Sequence, residues 1–371
     1  MIYFDNSSTT RPSVGVINAV NTAMSECFAN ASSLHIEGVT AHKVIDEAKK
    51  IIARSLGCTP MEILLGSGGT FCNNLAVSSA AASLKRRGKK IVISSIEHPS
   101  VSECAMSFKD VGFDVVMCDP TKSDFEREID ENTVLVSCMM VNNETGLILP
   151  VDKLKRIITA KKSPALLHID AVQAYGKIPV NVKKLNADFV TVSSHKINGP
   201  KGIGALYVKK GTRVIPLVRG GEQEGGIVPG TYNVPAIAGF STAVKEMLER
   251  DNSCFDLLYD RFVSRVSEFD FIKLNQFGEH AHHIINVSFD GYLGENVLHF
   301  LESKGIFVSQ GSACSSHSKQ KSKTIVALGG DKKTADGSIR VSFDHNNTTD
   351  EIDAFFDVCS QIPDKLIRLY K

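Results

Sequence analysis

The sequence of 371 residues contains no tryptophan, no C-x-x-C motif, no surplus of one charge and no long apolar run. Its 42 Lys and Arg residues against 41 Asp and Glu give a net charge of +1. Direct binding of nucleic acid or of an acidic lipid surface is not expected, because both need a basic surplus. No apolar run approaches the roughly 20 residues of a membrane-spanning helix. Residues 1–5 lack the basic-then-apolar pattern of a signal peptide, so we expect a cytoplasmic protein.

The nine cysteines are odd in number and scattered along the chain. This spacing is typical neither of a disulfide framework nor of a zinc site, so we expect no bound metal. In a reducing compartment most of them would be small buried side chains. Cys314 differs, because it lies in the small, polar segment 309–316 (SQGSACSS).

Short Val- and Ile-rich runs alternate with helical stretches through most of the sequence, which predicts an α/β domain with a mostly parallel sheet. Strands are predicted at 91–95, 133–139, 165–170, 188–194 and 203–208, and helices at 71–87, 99–110 and 151–162.

The composition changes around 210–235, where Gly and Pro are dense. A helix at 235–250 and then strands at 283–289, 305–309 and 338–343, with helices at 294–304 and 349–370, predict a smaller α+β domain. We expect residues 14–250 to form the large domain and residues 1–13 with 251–371 to form the small one.

Two polar residues follow predicted strands of the large domain. Lys196 comes directly after strand 188–194, at an edge where ligands of parallel sheets bind, and an amine there can form a Schiff base with a cofactor aldehyde. The alternative is a surface lysine in a turn. Asp170 ends strand 165–170 and would suit a protonated pyridine nitrogen, although it would equally suit a metal or a helix cap. Gln173 lies within reach of the same ligand.

Two further segments suit a flat, phosphorylated ligand. Residues 66–70 (GSGGT) form a Gly-rich turn into a helix, whose free N–H groups and positive end favour a phosphate, or which is only a turn. His98 follows another strand and would stack on a flat ring or move protons, unless its role is structural.

The predicted small domain contributes a thiol and a cation. Cys314 is accessible enough for a nucleophile, if it is more than a small residue in a tight loop. Arg340, inside an apolar strand pattern, would pair with a carboxylate of the protein or of a substrate. Together these residues indicate pyridoxal-phosphate chemistry on an amino acid.

At this point the sequence clearly resembles the NifS/IscS-type cysteine desulfurases, within the class V aminotransferase family of fold-type I pyridoxal-phosphate enzymes. The resemblance covers nearly the whole chain. Its most specific pieces are MMVNNETG (139–146), HIDAVQAYGK (168–177), SSHKINGPKGIGALYV (193–208), GSACSS (311–316) and SIRVS (338–342). It implies a large domain with a seven-stranded sheet.

The resemblance also implies residue roles. Lys196 would hold pyridoxal 5′-phosphate as a Schiff base, Asp170 would pair with the ring nitrogen and Gln173 with the ring hydroxyl. His98 would stack on the ring and take part in catalysis. The phosphate would be held by Gly69, Thr70, Ser193 and His195, with Thr231 joining from the second subunit of a homodimer.

The remaining roles concern the substrate. Asn143 would lie beside cofactor and L-cysteine, and Arg340 would bind the substrate carboxylate. Cys314 would take the sulfur as a persulfide, leaving L-alanine. The persulfide would pass to an acceptor protein, for iron–sulfur cluster assembly, a thio-cofactor or tRNA thiolation.

The sequence departs from the family pattern at Phe71, Cys72, Glu222, Val228 and Tyr232. These departures leave open selenocysteine lysis, another class V reaction, or a catalytically weakened sulfur-transfer scaffold.

Overall fold

The computed structural model describes residues 1–311 and 322–369. The chain divides into two compact units. The larger comprises Arg11–Met140 and Pro150–Arg250, and the smaller comprises Met1–Thr10, Val141–Leu149 and Asp251–Lys371.

These units differ from the predicted division at residues 11–13 and at residues 141–149. The second difference has a physical reason. Residues 141–149 run from the end of one strand to the start of a helix, without a Gly/Pro-rich linker on either side. Composition therefore carries no signal that this segment packs with a different unit.

The larger unit contains a seven-stranded sheet in the order β2-β8-β7-β6-β5-β3-β4. Its strands are β2 (Ile63–Gly66), β3 (Lys90–Ser94), β4 (Asp114–Cys118), β5 (Thr133–Met139), β6 (Leu166–Asp170), β7 (Phe189–Ser193) and β8 (Gly204–Val208). The five strands at one side of the sheet run parallel to one another, in the order β4-β3-β5-β6-β7. Strand β8 runs antiparallel to both of its neighbours, β7 and β2. The predicted α/β class with a mostly parallel sheet is confirmed.

The described helices of the larger unit are α1 (Val14–Glu26), α2 (Ile36–Leu56), α3 (Gly69–Leu84), α4 (Pro99–Ser107), α5 (Asp124–Glu128), α6 (Val151–Ala160), α7 (Val182–Leu185) and α8 (Val234–Glu249). Short 3₁₀ turns lie at Pro60–Glu62, Phe108–Val111, Ser194–Lys196 and Gln223–Gly226.

Every residue of β5 and β7 is buried, which explains their continuous apolar sequences. The five strands predicted in this unit match β3, β5, β6, β7 and β8 to within one residue at each end. Sequence patterns missed β2, which is only four residues long, and β4, whose side chains Asp114 and Met117 are exposed at the sheet edge.

In the smaller unit, β9 (Ile272–Leu274), β10 (Ile284–Phe289) and β12 (Ser338–Ser342) form an antiparallel sheet. A parallel pair joins β1 (Ile2–Tyr3) to β11 (Ile306–Phe307). The helices are α9 (Ser253–Val266), α10 (Gly294–Ser303), α11 (Lys323–Ala327), α12 (Lys332–Asp336), α13 (Thr349–Cys359) and α14 (Ile362–Lys365). A phenylalanine-rich core that includes Phe4, Phe262, Phe343 and Phe355 fills this unit.

The prediction of a single helix at 349–370 is wrong. Helix α13 ends at Cys359, and the short helix α14 follows at Ile362–Lys365. Pro363 lies in the first turn of α14, where its missing N–H is tolerated, and it cannot continue a preceding helix.

Among the described residues, no helix is both long and apolar enough to cross a membrane. In the same residues no group of three or more His, Cys, Asp or Glu side chains is arranged to hold a metal ion.

Candidate active site

The polar residues predicted for the larger unit follow the carboxyl ends of its parallel strands. His98 caps the start of α4 just after β3, and Asp170 is the last residue of β6. Ser193 ends β7, and Lys196 lies in the 3₁₀ turn that follows it. The sheet topology thus brings these residues to one edge, as expected for strands that run in the same direction.

A chain of hydrogen bonds links Asp170 to His98. Asn73 Nδ2 donates to Asp170 Oδ2 at 2.7 Å and to Ser100 Oγ at 2.8 Å. Ser100 in turn directs its main-chain N–H and its hydroxyl to His98 Nδ1, at 3.1 and 2.7 Å. Because Nδ1 accepts, the neutral imidazole carries its proton on Nε2.

Sequence reasoning missed Asn73 and Ser100. A signal was present for each, since Asn73 lies four residues after Gly69 on the same face of a helix and Ser100 directly follows the helix-starting Pro99.

Two charged residues, Asp170 and Lys196, affect the pKa of the His98 imidazole. Burial lowers the pKa of His98, the negative charge of Asp170 opposes that shift, and the positive charge of Lys196 adds to it. The carboxylate and the amine thus act on the ring in opposite directions. The net result is an imidazole that is neutral at pH 7.

His195, which lies between Ser194 and Lys196, is also neutral. Burial lowers the pKa of His195 to about 3, and the charges of Lys196 and Lys201 contribute to the same shift. A neutral ring in this turn can donate or accept a hydrogen bond without adding charge to the site.

The start of α3 forms a cradle for an anion. Gly68 has φ +133°, a conformation that favours glycine, and a Cβ on Gly69 would lie 3.1 Å from Val172 Cγ2 and 3.6 Å from Ser193 Cβ. Ser193 is buried, and its hydroxyl has no hydrogen-bond partner in the described structure. Thr70, at the same helix start, is exposed. An unpaired buried hydroxyl beside a helix N-terminus suits an anionic ligand such as a phosphate.

Gln173 lies in the turn after β6 and is buried. Thr231 is exposed and lines a cavity of about 260 Å³ with Gly66, Ser67 and Tyr232 of its own chain.

Asn143 and Arg340 belong to the smaller unit and contact each other. Arg340 Nη1 donates to the Asn143 carbonyl at 2.8 Å, and Nη2 donates to Asp5 Oδ1 at 2.7 Å and to Ser8 Oγ at 2.6 Å. The guanidinium thus pairs with a carboxylate of the protein, one of the two partners that the sequence predicts. Its Nε is buried and has no partner among the described residues.

Cys314 lies outside the described residues. The other eight cysteines are free thiols, four of them buried and four half-buried. Burial raises the pKa of Cys72, of Cys58 and of Cys118 to about 12, which makes each of these thiols unreactive. The prediction that most cysteines are buried therefore holds for only four of these eight, and the other four are half-buried: Cys27, Cys58, Cys104 and Cys254.

Most of the residues that differ from the family pattern pack or form hydrogen bonds within the larger unit. Phe71 and Val228 pack against the core beside the sheet, and Cys72 is buried within it. Tyr232 accepts a hydrogen bond from Glu224 N at 3.1 Å, and Glu224 pairs with Lys49 at 2.7 Å. Glu222 occupies the N-cap position of the 3₁₀ turn Gln223–Gly226, and its side chain makes no capping hydrogen bond there.

Glu97 is a buried carboxyl next to His98 that sequence reasoning also missed. Its Oε1 accepts from Ser94 Oγ and, at 2.7 Å, from Met139 N, whereas Oε2 has no partner in the described part of the chain. Burial raises the pKa of Glu97 to about 8, and the charge of Asp170 adds to this rise. Glu97 is therefore largely protonated at neutral pH, leaving Asp170 as the charged carboxylate beside His98.

Replacing Glu97 with Gln tests this protonation. Between the unfolded pKa near 4.5 and the folded pKa near 8, the unfolded wild-type chain loses a proton that the folded chain keeps. Wild-type stability therefore falls with rising pH in this window through this group. Glu97→Gln removes the titration, so the variant gains stability relative to wild type from pH 5 to pH 8 in urea unfolding.

The exposed Glu103 on α4 provides the matched control. Glu103→Gln should follow the wild-type pH dependence. Parallel curves for wild type and Glu97→Gln would show that Glu97 is already ionised in the folded protein.

Comparison with known proteins adds to this geometry. Residues 2–355 match the family described as Aminotransferase class-V. A cysteine desulfurase IscS of Methanosarcina thermophila is 36% identical, with 98% of this chain and 92% of that protein aligned. A cysteine desulfurase IscS of Dictyoglomus turgidum is 37% identical, with 98% and 95% aligned.

Solved structures agree with these relatives. A structure described as a NifS-like protein superposes with a TM-score of 0.91 at 32% identity, covering 98% of this chain and 100% of the other. A second, described as SspA in complex with cysteine, has a TM-score of 0.82 at 31% identity, covering 92% and 99%. The resemblance stated from the sequence is confirmed, and the chain belongs to the class V aminotransferase family, among the NifS/IscS-type cysteine desulfurases.

Proposed function

We propose that this protein is a pyridoxal-phosphate-dependent cysteine desulfurase that converts L-cysteine to L-alanine and leaves a persulfide on Cys314. The observation that carries the proposal is the grouping of the His98 imidazole, the Asp170 carboxylate and the Lys196 amine at one sheet edge. Cysteine desulfurases of class V use this cofactor, and one structural relative is described in complex with cysteine.

The residues present fit the phosphate of this cofactor. The start of α3 offers free N–H groups at Gly69 and Thr70, and the Ser193 hydroxyl beside them has no partner in the described structure. A phosphate would satisfy these donors. His195 would add a neutral ring to the same group.

The residues also fit the pyridine ring. Asp170 is buried and held by Asn73 Nδ2 and by Val172 N at 2.9 Å, so its carboxylate is fixed in position to keep a ring nitrogen protonated. The uncharged imidazole of His98 would lie on the ring face, and Gln173 would reach the ring hydroxyl. Lys196 Nζ would hold the cofactor covalently.

When bound, the cofactor supplies an electron sink for bonds broken at the substrate. This chain's residues then handle protons and charge. Lys196 Nζ would move the proton at the substrate Cα, while Asp170 keeps its single negative charge beside the ring.

Arg340 would bind the substrate carboxylate together with Asn143. Its buried Nε–H has no acceptor among the described residues, and an unsatisfied donor on a buried guanidinium favours an anionic ligand.

Sulfur transfer then needs only the Cys314 thiolate. Its Sγ attacks the substrate sulfur, a new S–S bond forms, and the bond between the substrate Cβ and its sulfur breaks. The electron pair of that bond stays with Cβ, which takes up a proton to complete alanine. Cysteine and one thiol thus give alanine and one persulfide, which an acceptor protein or a reductant removes in the cytoplasm.

The defining measurement incubates the purified, cofactor-loaded protein with L-cysteine and a reductant. Alanine and sulfide should form in equal amounts, because each turnover releases one of each. Cys314→Ala should lose at least about 100-fold in both, since the proposed sulfur acceptor is gone.

The half-buried Cys254 gives the matched control, and Cys254→Ala should keep wild-type turnover. Alanine without sulfide would identify a different class V reaction, and neither product would indicate a scaffold. Full sulfide production by Cys314→Ala would contradict the assignment of the nucleophile.

Lys196 and Lys201 form a second matched pair in one loop. Lys196→Ala should lower alanine formation by about 100-fold or more, because the group that moves the proton is gone, and should abolish the covalent link to the cofactor. Lys201 is exposed, so Lys201→Ala should retain both. Mass spectrometry after borohydride reduction reports the link, and a cofactor adduct that survives in Lys196→Ala would refute the assignment.

The protein should act as a homodimer in which Thr231 of one chain completes the phosphate site of the other. Supporting this, residues 14–39 expose several large apolar side chains, which a second chain would cover. They include Val14, Met24, Phe28, Leu34 and Ile36.

Light scattering should give twice the 40.3 kDa chain mass, and Phe28→Glu with Leu34→Glu should lower it towards one chain. Val111→Glu, at an exposed apolar position elsewhere in the larger unit, should leave the mass unchanged. A wild-type mass of one chain would rule the dimer out.

A further inference from the structure

The loop between β7 and β8 carries Lys196 and, two positions later, a residue to which the proposed reaction gives no role. The N–H groups of Ile197 and Gly199 both donate to the Ser194 carbonyl at 3.1 Å, so the chain turns back on itself directly after Lys196. Asn198 lies between these two N–H groups, is buried and has φ +65°. Asparagine adopts this left-handed conformation more readily than most residues.

Asn198 binds two segments that are far away in the sequence. Its Oδ1 accepts a hydrogen bond from Nη1 of Arg250, the residue that directly follows α8. Its Nδ2 donates to the Arg11 carbonyl at 3.0 Å, and its own carbonyl accepts from Ser13 N at 3.2 Å. Both ends of the amide and the main chain of Asn198 are therefore held by groups outside the loop.

The partners of Asn198 are themselves fixed. Arg250 Nη2 pairs with Glu246 Oε2 at 3.1 Å, one turn earlier in the sequence. Glu246 Oε1 accepts from the Ser13 hydroxyl at 2.8 Å, and that hydroxyl also caps the start of α1 through Val16 N. A charged donor and a closed ring of hydrogen bonds thus connect Asn198 to both α1 and α8.

This anchor lies close to the amine that the proposed mechanism uses. Strand β7 fixes the chain before Lys196, because all of its residues are buried and Ser193 pairs with Gly204 of β8. After Lys196 the next strand begins only at Gly204. Asn198 supplies a fixed point within this interval, so Lys196 lies between two fixed points, β7 and Asn198.

We propose that Asn198 is a positioning residue for proton transfer, holding the turn after Lys196 so that the Lys196 amine stays aligned with the substrate Cα. The proposal rests on the proposed function. A proton is transferred efficiently only between groups that are close and well oriented, so a small displacement of the main chain at Lys196 slows this step. Asn198 acts through Lys196 and need not touch cofactor or substrate.

The test follows a single turnover of the cofactor-loaded protein with L-cysteine and with L-cysteine deuterated at Cα. The phase that deuterium slows reports the proton transfer. In Asn198→Ala the rate constant of this phase should fall by about 10- to 100-fold, since misplacement of about 1 Å costs on the order of 100-fold. A variant that is only partly folded would lose amplitude and keep the wild-type rate constant.

Further substitutions separate the anchor from the backbone conformation. Asn198→Gly keeps access to positive φ but removes both side-chain hydrogen bonds, so it should slow the phase to a similar extent. Asn198→Asp keeps an acceptor for Arg250 and should recover part of the rate constant. Arg250→Ala removes the donor to Asn198 while leaving the loop sequence intact, and it should slow the same phase.

Asn186 provides the matched control, because it also has a positive φ, +48°, and its side chain also accepts a hydrogen bond, from Lys209 Nζ at 2.8 Å. Asn186→Ala should leave the rate constant unchanged. A wild-type rate constant in Asn198→Ala, in Asn198→Gly or in Arg250→Ala would overturn the proposal.

A second measurement does not depend on the reaction. Amide hydrogen exchange of residues 194–199 should be faster in Asn198→Ala and in Arg250→Ala than in wild type, and unchanged in Asn186→Ala. Unchanged exchange in Asn198→Ala would show that its side chain does not fix the turn, which contradicts the proposal. If the wild type forms no alanine, the proposed function fails instead, while the exchange measurement still tests the anchoring by Asn198.

Discussion

The arrangement of the site in the larger unit depends on the hydrogen bonds that one buried carboxylate must accept. Asp170 ends the central strand β6, and its oxygens are paired by Val172 N and Asn73 Nδ2. Asn73 belongs to α3 and also binds Ser100 of α4. The hydrogen bond from Asn73 to Asp170 therefore places the starts of both helices at the same sheet edge. The anion cradle at Gly69 and the imidazole of His98 take their positions from that placement. An unpaired buried carboxylate would be costly, so this arrangement is strongly favoured.

Much of this site could be predicted from sequence because buried parallel strands are recognisable as apolar runs. Lys196, Asp170 and His98 each follow such a run, and the carboxyl ends of parallel strands meet at one edge. Asn73, Ser100, Glu97 and Asn198 were not predicted, because their roles depend on partners far away in sequence. Asn73 meets Asp170 across 97 positions and Asn198 meets Arg250 across 52. No local pattern reports such pairings.

The departures from the family pattern show how a site tolerates change in the residues around it. Phe71 and Val228 fill space against the core, where an apolar side chain of suitable size is sufficient. Glu224, with φ +51°, keeps a charged partner in Lys49 of α2 and a polar one in Tyr232. None of these positions belongs to the chain of hydrogen bonds from Asp170 to His98, so that chain keeps its geometry while the neighbouring loop varies.

The chain passes between its two compact units four times, at residues 10, 140, 149 and 250. A ribosome delivers the N-terminal part first, so every residue of the larger unit has been made once Arg250 has emerged. Residues 1–10 and 141–149 by then still lack most of the unit they pack with. The pairing of Ile2 with Ile306 must wait for some 300 further residues. The contact between Asn143 and Arg340 is therefore among the last to form, and newly made chains acquire the larger unit before the group that surrounds Arg340.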